Sequence, residues 1–318
     1  QIELDYPAKT QGPVIEEMVR AKLVEAGIPA DVKISQNIIA HEVQRGVKVF
    51  DSVRNIIAVS SGKGGVGKST VSANLALALQ QEGAKVGLLD ADVYGPSQPT
   101  MLGITDRPYS VDGKTLEPMI AHGLQVASVG VLIDPDQPMI WRGPLAVSAL
   151  QQLLKQTNWK DLDYLIVDMP PGTGDIQLSL SQEVPLTGAV VVTTPQDIAL
   201  MDARKGLVMF EKVNVPILGI IENMATHICS KCGHEEHIFG EGGAAKMAEQ
   251  YGVELLGELP LDINIRLSMD KGEPIVISEP DSKVAQAYRD IARKLAIAVS
   301  KKNKDYSAKM PSIKVSDT

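Results

Sequence analysis

The stretch SSGKGGVGKST, residues 60–70, decides how the rest of the chain is read. Gly62, Gly67, Lys68 and Ser69 fall at the spacing of a phosphate loop. A phosphate chain needs a concave ring of backbone N–H groups, and side chains would block its approach; hence Gly62, Gly64, Gly65 and Gly67. A helix beginning near Lys68 would aim its positive end at the anion. Lys68 would neutralise the β- and γ-phosphates of ATP, and the Ser69 hydroxyl would hold Mg²⁺. The whole run from Gly62 to Thr70, Val66 included, is the expected nucleotide-contacting set. The pattern carries weight only between a strand and a helix. Here NIIAVSS precedes it and STVSANLALALQQEG follows.

Working outward, KVGLLDAD, LDYLIVDMP, GAVVVTTP and ILGIIENM are further short aliphatic runs, each too apolar for a half-exposed strand. Helical patterns alternate with them, notably GPLAVSALQQLLKQ and DIALMDARKGLVMFEKV. This predicts an α/β domain over residues 53–300: a doubly wound, mostly parallel sheet of the P-loop NTPase type. A last helix, about 281 to 300, sets Val284, Tyr288, Ile291 and Leu295 on one stripe, which fits packing on the sheet better than a membrane-binding face. Residues 1–48 read as a small partial α+β segment, with a strand (IELDY), a helix from about 13 to 26 and the alternating stretch ADVKISQ. Such a piece buries little core alone. The tail 301–318 is polar, unpatterned and expected to be disordered.

Composition narrows the function classes. The 318 residues are 44 % hydrophobic and only 4 % aromatic, which suits an aliphatic two-sided sheet. A net charge of −8 argues against a nucleic-acid surface. No apolar run reaches membrane-span length, and QIELDYPAK is no secretory signal, so neither a membrane nor nucleic acid is an expected partner. With two cysteines in the chain, a reducing compartment, the cytoplasm, is expected. The chain opens on Gln1, as expected of a processed chain or a fragment.

Carboxylates at other strand ends join the loop. Asp168 closes LDYLIVD where a Walker-B acid would bind Mg²⁺ through water, and MPPGTGD follows it as a loop suited to sensing a γ-phosphate. Asp90 and Asp92 end KVGLLDAD; one of them would position the attacking water or the metal. Any single such Asp is as readily a helix cap or turn former.

The loop also carries a second lysine, Lys63, and the form KGGVGKS resembles the deviant Walker A of the MinD/ParA/nitrogenase-iron-protein class. That resemblance implies a face-to-face homodimer in which Lys63 reaches the partner's nucleotide, with the logic of a cation supplied in trans.

The two cysteines, Cys229 and Cys232, lie in HICSKCGHEEHIFGEGG, residues 227–243, within a metal loop placed at 224–240. A tetrathiolate site needs four ligands. In a two-fold dimer the partner's copy of the pair would supply the missing half, holding a bridging [4Fe–4S] cluster or a zinc ion. Alternatives are a structural zinc knuckle completed by His234 or His237, a redox dithiol, or two ordinary thiols.

At this point the chain resembles the Mrp/ApbC family of iron–sulfur cluster carrier ATPases. The resemblance rests on IIAVSSGKGGVGKST (56–70), LLDADVYGPSQP (88–99), WRGP (141–144), DYLIVDMPPGTGD (163–175) and ENMATHICSKCGHEEHIFGEGG (222–243). It implies a homodimer that binds ATP, hydrolyses it slowly, holds a cluster at the paired CxxC and transfers it between an assembly scaffold and apo iron–sulfur clients. By the same resemblance Asn223 contacts the adenine, the LPLD stretch with Pro260 and Asp262 lines the base pocket, and Asp92 is a switch acid with a catalytic part beside Lys63 and Lys68. Residues 1–48 are similar to the end of a small domain that precedes the ATPase in many bacterial members, its beginning expected to be absent. The rival readings are a positioning ATPase of the MinD/ParA type, an electron donor like the nitrogenase iron protein, and an ATPase with a structural zinc site.

Overall fold

The computed structural model describes residues 1–28, 30–44, 47, 49–131, 143–229 and 231–305. Trp141 and Arg142 of the WRGP stretch, and most of the tail expected to be disordered, lie outside the described residues.

The N-terminal piece is β1 (Ile2–Leu4), α1 (Gly12–Glu25) and β2 (Ile34–Gln36), with β1 and β2 paired in parallel. Proline near its first turn suits the start of α1. The helix has no buried residue, as expected of so small a unit. It is tied to the rest through Glu82, whose buried carboxylate accepts from the Thr10 amide at 3.0 Å and pairs with Arg293 at 2.6 Å.

The main domain follows as β3 (Val53–Ser60), α2 (Lys68–Gln81), β4 (Val86–Asp90), α3 (Gln98–Met101), β5 (Met119–Ala121), β6 (Leu124–Ser128), α4 (Gly143–Gln156), β7 (Leu162–Asp168), α5 (Asp175–Glu183), β8 (Gly188–Thr193), α6 (Asp197–Lys212) and β9 (Ile217–Glu222). A hairpin of β10 (His227–Ile228) and β11 (Glu235–Glu236) comes next. Then come α7 (Gly243–Tyr251), β12 (Leu255–Glu258), α8 (Ile263–Asp270), α9 (Ile275–Ser278) and α10 (Lys283–Ser300). Among the described residues one sheet has eight strands, ordered β12-β9-β8-β3-β7-β4-β6-β5, parallel except for β5. The five aliphatic runs are its five central strands. β6 and β12 extend it in parallel, and β5 adds an antiparallel edge; none of the three stands out in the sequence.

Two apolar layers cover the sheet. In α2, Ala and Leu alternate through LALAL, strong helix formers that are buried nearly all round because α10 lies against the helix. The stripe on α10 faces inward: Tyr288, Ile291 and Leu295 are all buried, each side chain contributing about 1.5–3 kcal/mol. No helix among the described residues is long and apolar enough to cross a membrane. Because parallel strands share one direction, the loops after β3, β4, β7, β8, β9 and β12 all emerge at one edge, where ligands of such sheets bind.

Candidate functional site

The β3–α2 turn builds the phosphate loop. Gly67 has φ +81°, and a Cβ there would stand 2.3 Å from Asn223 Nδ2, which itself donates to Val66 O at 2.9 Å. At Gly62 an added Cβ would run into the Asp202 backbone of α6 at 2.1 Å. Glycine is therefore demanded at both positions, by conformation at Gly67 and by close approach at Gly62. On the open side lies a small cavity of about 210 Å³, lined among others by Gly64, Gly65, Lys68, Ser69, Thr70 and Asp92. Residues contributed by the β3–α2 turn and by the loop after β4 thus meet around one hollow at a helix N-terminus. That arrangement fits a phosphate chain, and its oxygen donors fit Mg²⁺.

Behind the hollow is a closed network. Lys68 Nζ donates to Asp168 Oδ1 at 2.6 Å, and Ser72 Oγ donates to the same oxygen at 2.9 Å. Gln98 Nε2 donates to Asp168 Oδ2 and to Ser69 O, both at 2.9 Å. Its Oε1 is buried without a hydrogen-bond partner among the described residues. Asp90 lies deeper, taking the Gln98 amide at 3.1 Å and Ser128 Oγ at 3.0 Å. Burial, and then the charge of Asp168, pushes its carboxyl up to about 7. Asp90 does not line the cavity, whereas Asp92 does and accepts from the Tyr94 and Gly95 amides at 3.2 Å. Ser72 and Ser128 escape sequence reasoning, since no local motif marks them; Gln98 lies within LLDADVYGPSQP, but nothing in that run alone points it at Asp168.

Lys63 is half-buried and forms no ion pair among the described residues. Asn223 stands against the phosphate loop through Val66. Pro260 and Asp262 line a separate, larger cleft of about 680 Å³ with Thr226, His227, Ile228 and Ile263. Asp262 also caps α8, accepting from the Asn264 amide at 2.7 Å.

The β10–β11 hairpin carries the cysteines at the same edge of the sheet. The Cys229 amide donates to His234 O at 2.9 Å, and the Gly233 amide returns to Cys229 O at 2.8 Å, with Gly233 at φ +72°. The Lys231 and Cys232 amides point at Cys229 Sγ and hold its thiol below the ordinary range. Backbone donors aimed at the sulfur favour its thiolate form. Among the described residues, no three His, Cys, Asp or Glu side chains converge on one point. His237 Nδ1 instead donates to Ala225 O at 3.1 Å, and His227 Nδ1 to Leu261 O at 3.1 Å. His234 and His237, weighed as zinc ligands, are not gathered with the two cysteines in one chain among the described residues.

Comparison with known proteins agrees with this geometry. The family model described as the NUBPL iron-transfer P-loop NTPase (ParA) matches residues 52–296. The chain is 58 % identical over 286 residues to the iron-sulfur cluster carrier protein of Salmonella typhimurium, covering 89 % of this chain and 78 % of that one. Among solved structures, a nucleotide-binding protein of Archaeoglobus fulgidus in complex with ADP is 37 % identical with a TM-score of 0.65, over 74 % of this chain and 92 % of that one. The cell division ATPase MinD of Pyrococcus furiosus is 26 % identical with a TM-score of 0.58, over 76 % and 98 %. With a family model matching residues 52–296 and a relative 58 % identical over 89 % of its length, the chain belongs to the NUBPL iron-transfer family of P-loop NTPases.

Proposed function

We propose that the protein is an ATP-dependent iron–sulfur cluster carrier acting as a homodimer. The observation that carries this reading is that a phosphate loop and a half-complete thiolate site leave the same edge of one sheet. The names of its relatives point the same way.

In this reading the ATP phosphates lie in the 210 Å³ hollow, with the base toward Asn223 and the cleft at Pro260 and Asp262. Phosphate oxygens would take over the Lys68 ammonium from Asp168; Ser69 and Asp168 would then hold Mg²⁺, which would neutralise charge developing on the phosphates. That exchange would also tug on Gln98, which bonds both Asp168 and Asp90 at the end of β4. Asp92, which lines the hollow, orients the attacking water in this reading. Lys63, with no ion pair of its own among the described residues, is available to a partner's phosphates. The cluster is cargo: Cys229 and Cys232 of each chain bridge it across the two-fold axis, and it passes from an assembly scaffold to apo clients. Two ligands per chain make it releasable.

The test is anaerobic loading with iron and sulfide, counting metal per dimer in the wild type and in Cys232→Ala. About four iron and four sulfide per dimer, lost on substitution, are expected. One firmly held zinc per chain with no iron uptake would defeat the carrier reading and leave a structural site.

A further inference from the structure

The cysteine hairpin is stitched to the loop after β12. The pairing of β9 with β12 runs on past both strands: the Ala225 amide donates to Leu259 O at 2.9 Å, and the Leu261 amide to Thr226 O at 2.7 Å. His227 finishes the seam with its side chain, Nδ1 donating to Leu261 O. A carbonyl oxygen only accepts, so this nitrogen carries the proton. Both backbone polar groups of Leu261 are thereby committed to the hairpin. Its neighbours Pro260 and Asp262 line the 680 Å³ cleft, and so do His227, Ile228 and Glu235 of the hairpin. One part of the cleft wall is the loop after β12; another is the segment that reaches Cys229 two positions after His227.

We infer that His227 is a positioning residue, a latch between the loop after β12 and the cysteine hairpin, so that a nucleotide base in the cleft shifts the exposure of Cys229 and Cys232. This rests on the reading of the cleft as the base site. The link lies within one chain. By thermodynamic linkage it is reciprocal: whatever factor nucleotide imposes on metal binding at the cysteines, metal imposes on nucleotide binding.

The experiment follows iodoacetamide alkylation of the two thiols in the full chain by intact mass. It is run alone, with a saturating non-hydrolysable ATP analogue, and with inorganic tripolyphosphate, which fills the phosphate loop but brings no base. Saturation is confirmed for each protein with a fluorescent mant-labelled analogue. The ATP analogue is expected to change the alkylation rate at least about five-fold and tripolyphosphate less than about two-fold. The change should not vary with protein concentration. His227→Ala, checked for folding by its melting curve, should erase the response. His227→Asn, whose amide can donate near the position of Nδ1, should restore part of it. An analogue that saturates the wild type without changing the rate would overturn the latch. So would a full response in His227→Ala, or one that disappears on dilution while nucleotide stays bound. If the analogue does not bind the wild type, the base-site reading fails and the latch with it.

Discussion

The phosphate loop and the cysteine hairpin leave the same edge of the sheet and are built in opposite ways. At the loop, Lys68, Asp168, Gln98, Ser72 and Asp90 are all buried and bonded to one another. At the hairpin, residues 231–238 are all exposed, and the turn is held by two short strands, a few backbone bonds and two histidine anchors. The contrast shows where precision comes from. Phosphate chemistry needs donors fixed before the ligand arrives, so the core holds them. A hairpin held this thinly can open, which suits the cargo site proposed above.

Substitutions on the two sides should therefore differ sharply. The largest effect is expected from Lys68→Ala. Loss of the loop cation should lower ATP hydrolysis at least about 100-fold, measured by phosphate release. It should also lower stability by about 3–5 kcal/mol at most, because Asp168 stays buried but keeps its Ser72 and Gln98 donors. Metal capture by the hairpin, measured by iron content on folded protein, should persist; losing it as well would erase the contrast.

Asp90 gives the next effect, and it depends on pH. The unfolded chain releases this proton near the ordinary aspartate value of 3.8 and the folded chain near 7, so the folded state binds more protons between them. Its contribution to stability is fully present below the lower value and is lost as pH rises through the upper one. Asp90→Asn should flatten that decline, worth a few kcal/mol at most, in urea melts at pH 5 and pH 8.

Gly67→Ala is expected to cost about 1–3 kcal/mol, since alanine at φ +81° is strained and its Cβ displaces the Asn223 amide. Paired thermal melts and nucleotide titration should show stability and affinity falling together.

The smallest change is expected on the hairpin side. Cys232→Ala should move unfolding by less than about 0.5 kcal/mol, because its side chain is exposed. A melt of that variant as perturbed as Lys68→Ala would mean that the hairpin is part of the core after all.

How much of this was legible beforehand follows from distance along the chain. The phosphate loop, the five central strands and the cysteine pair are written in runs of a dozen residues or fewer, where glycine placement, aliphatic runs and ligand spacing act locally. The stripe on α10 was legible for the same reason: a 3.6-residue period needs no neighbour to be seen. β5, β6 and β12 were not, because strands of three to five residues gain their pairing only from strands already in the sheet.

The site divides along the same line. By itself the sequence singled out the residues expected to bear the chemistry, Lys68, Ser69, Asp168, Cys229 and Cys232, since their types and spacing are conditions of the chemistry itself. Only the tertiary structure decided that Gln98 joins Asp168 to Ser69, that Asp90 lies buried behind the hollow, and that His227 holds the hairpin to Leu261. Those contacts join segments up to 70 residues apart. They exist because strand order, set by burial of the whole sheet, brings the segments to one edge.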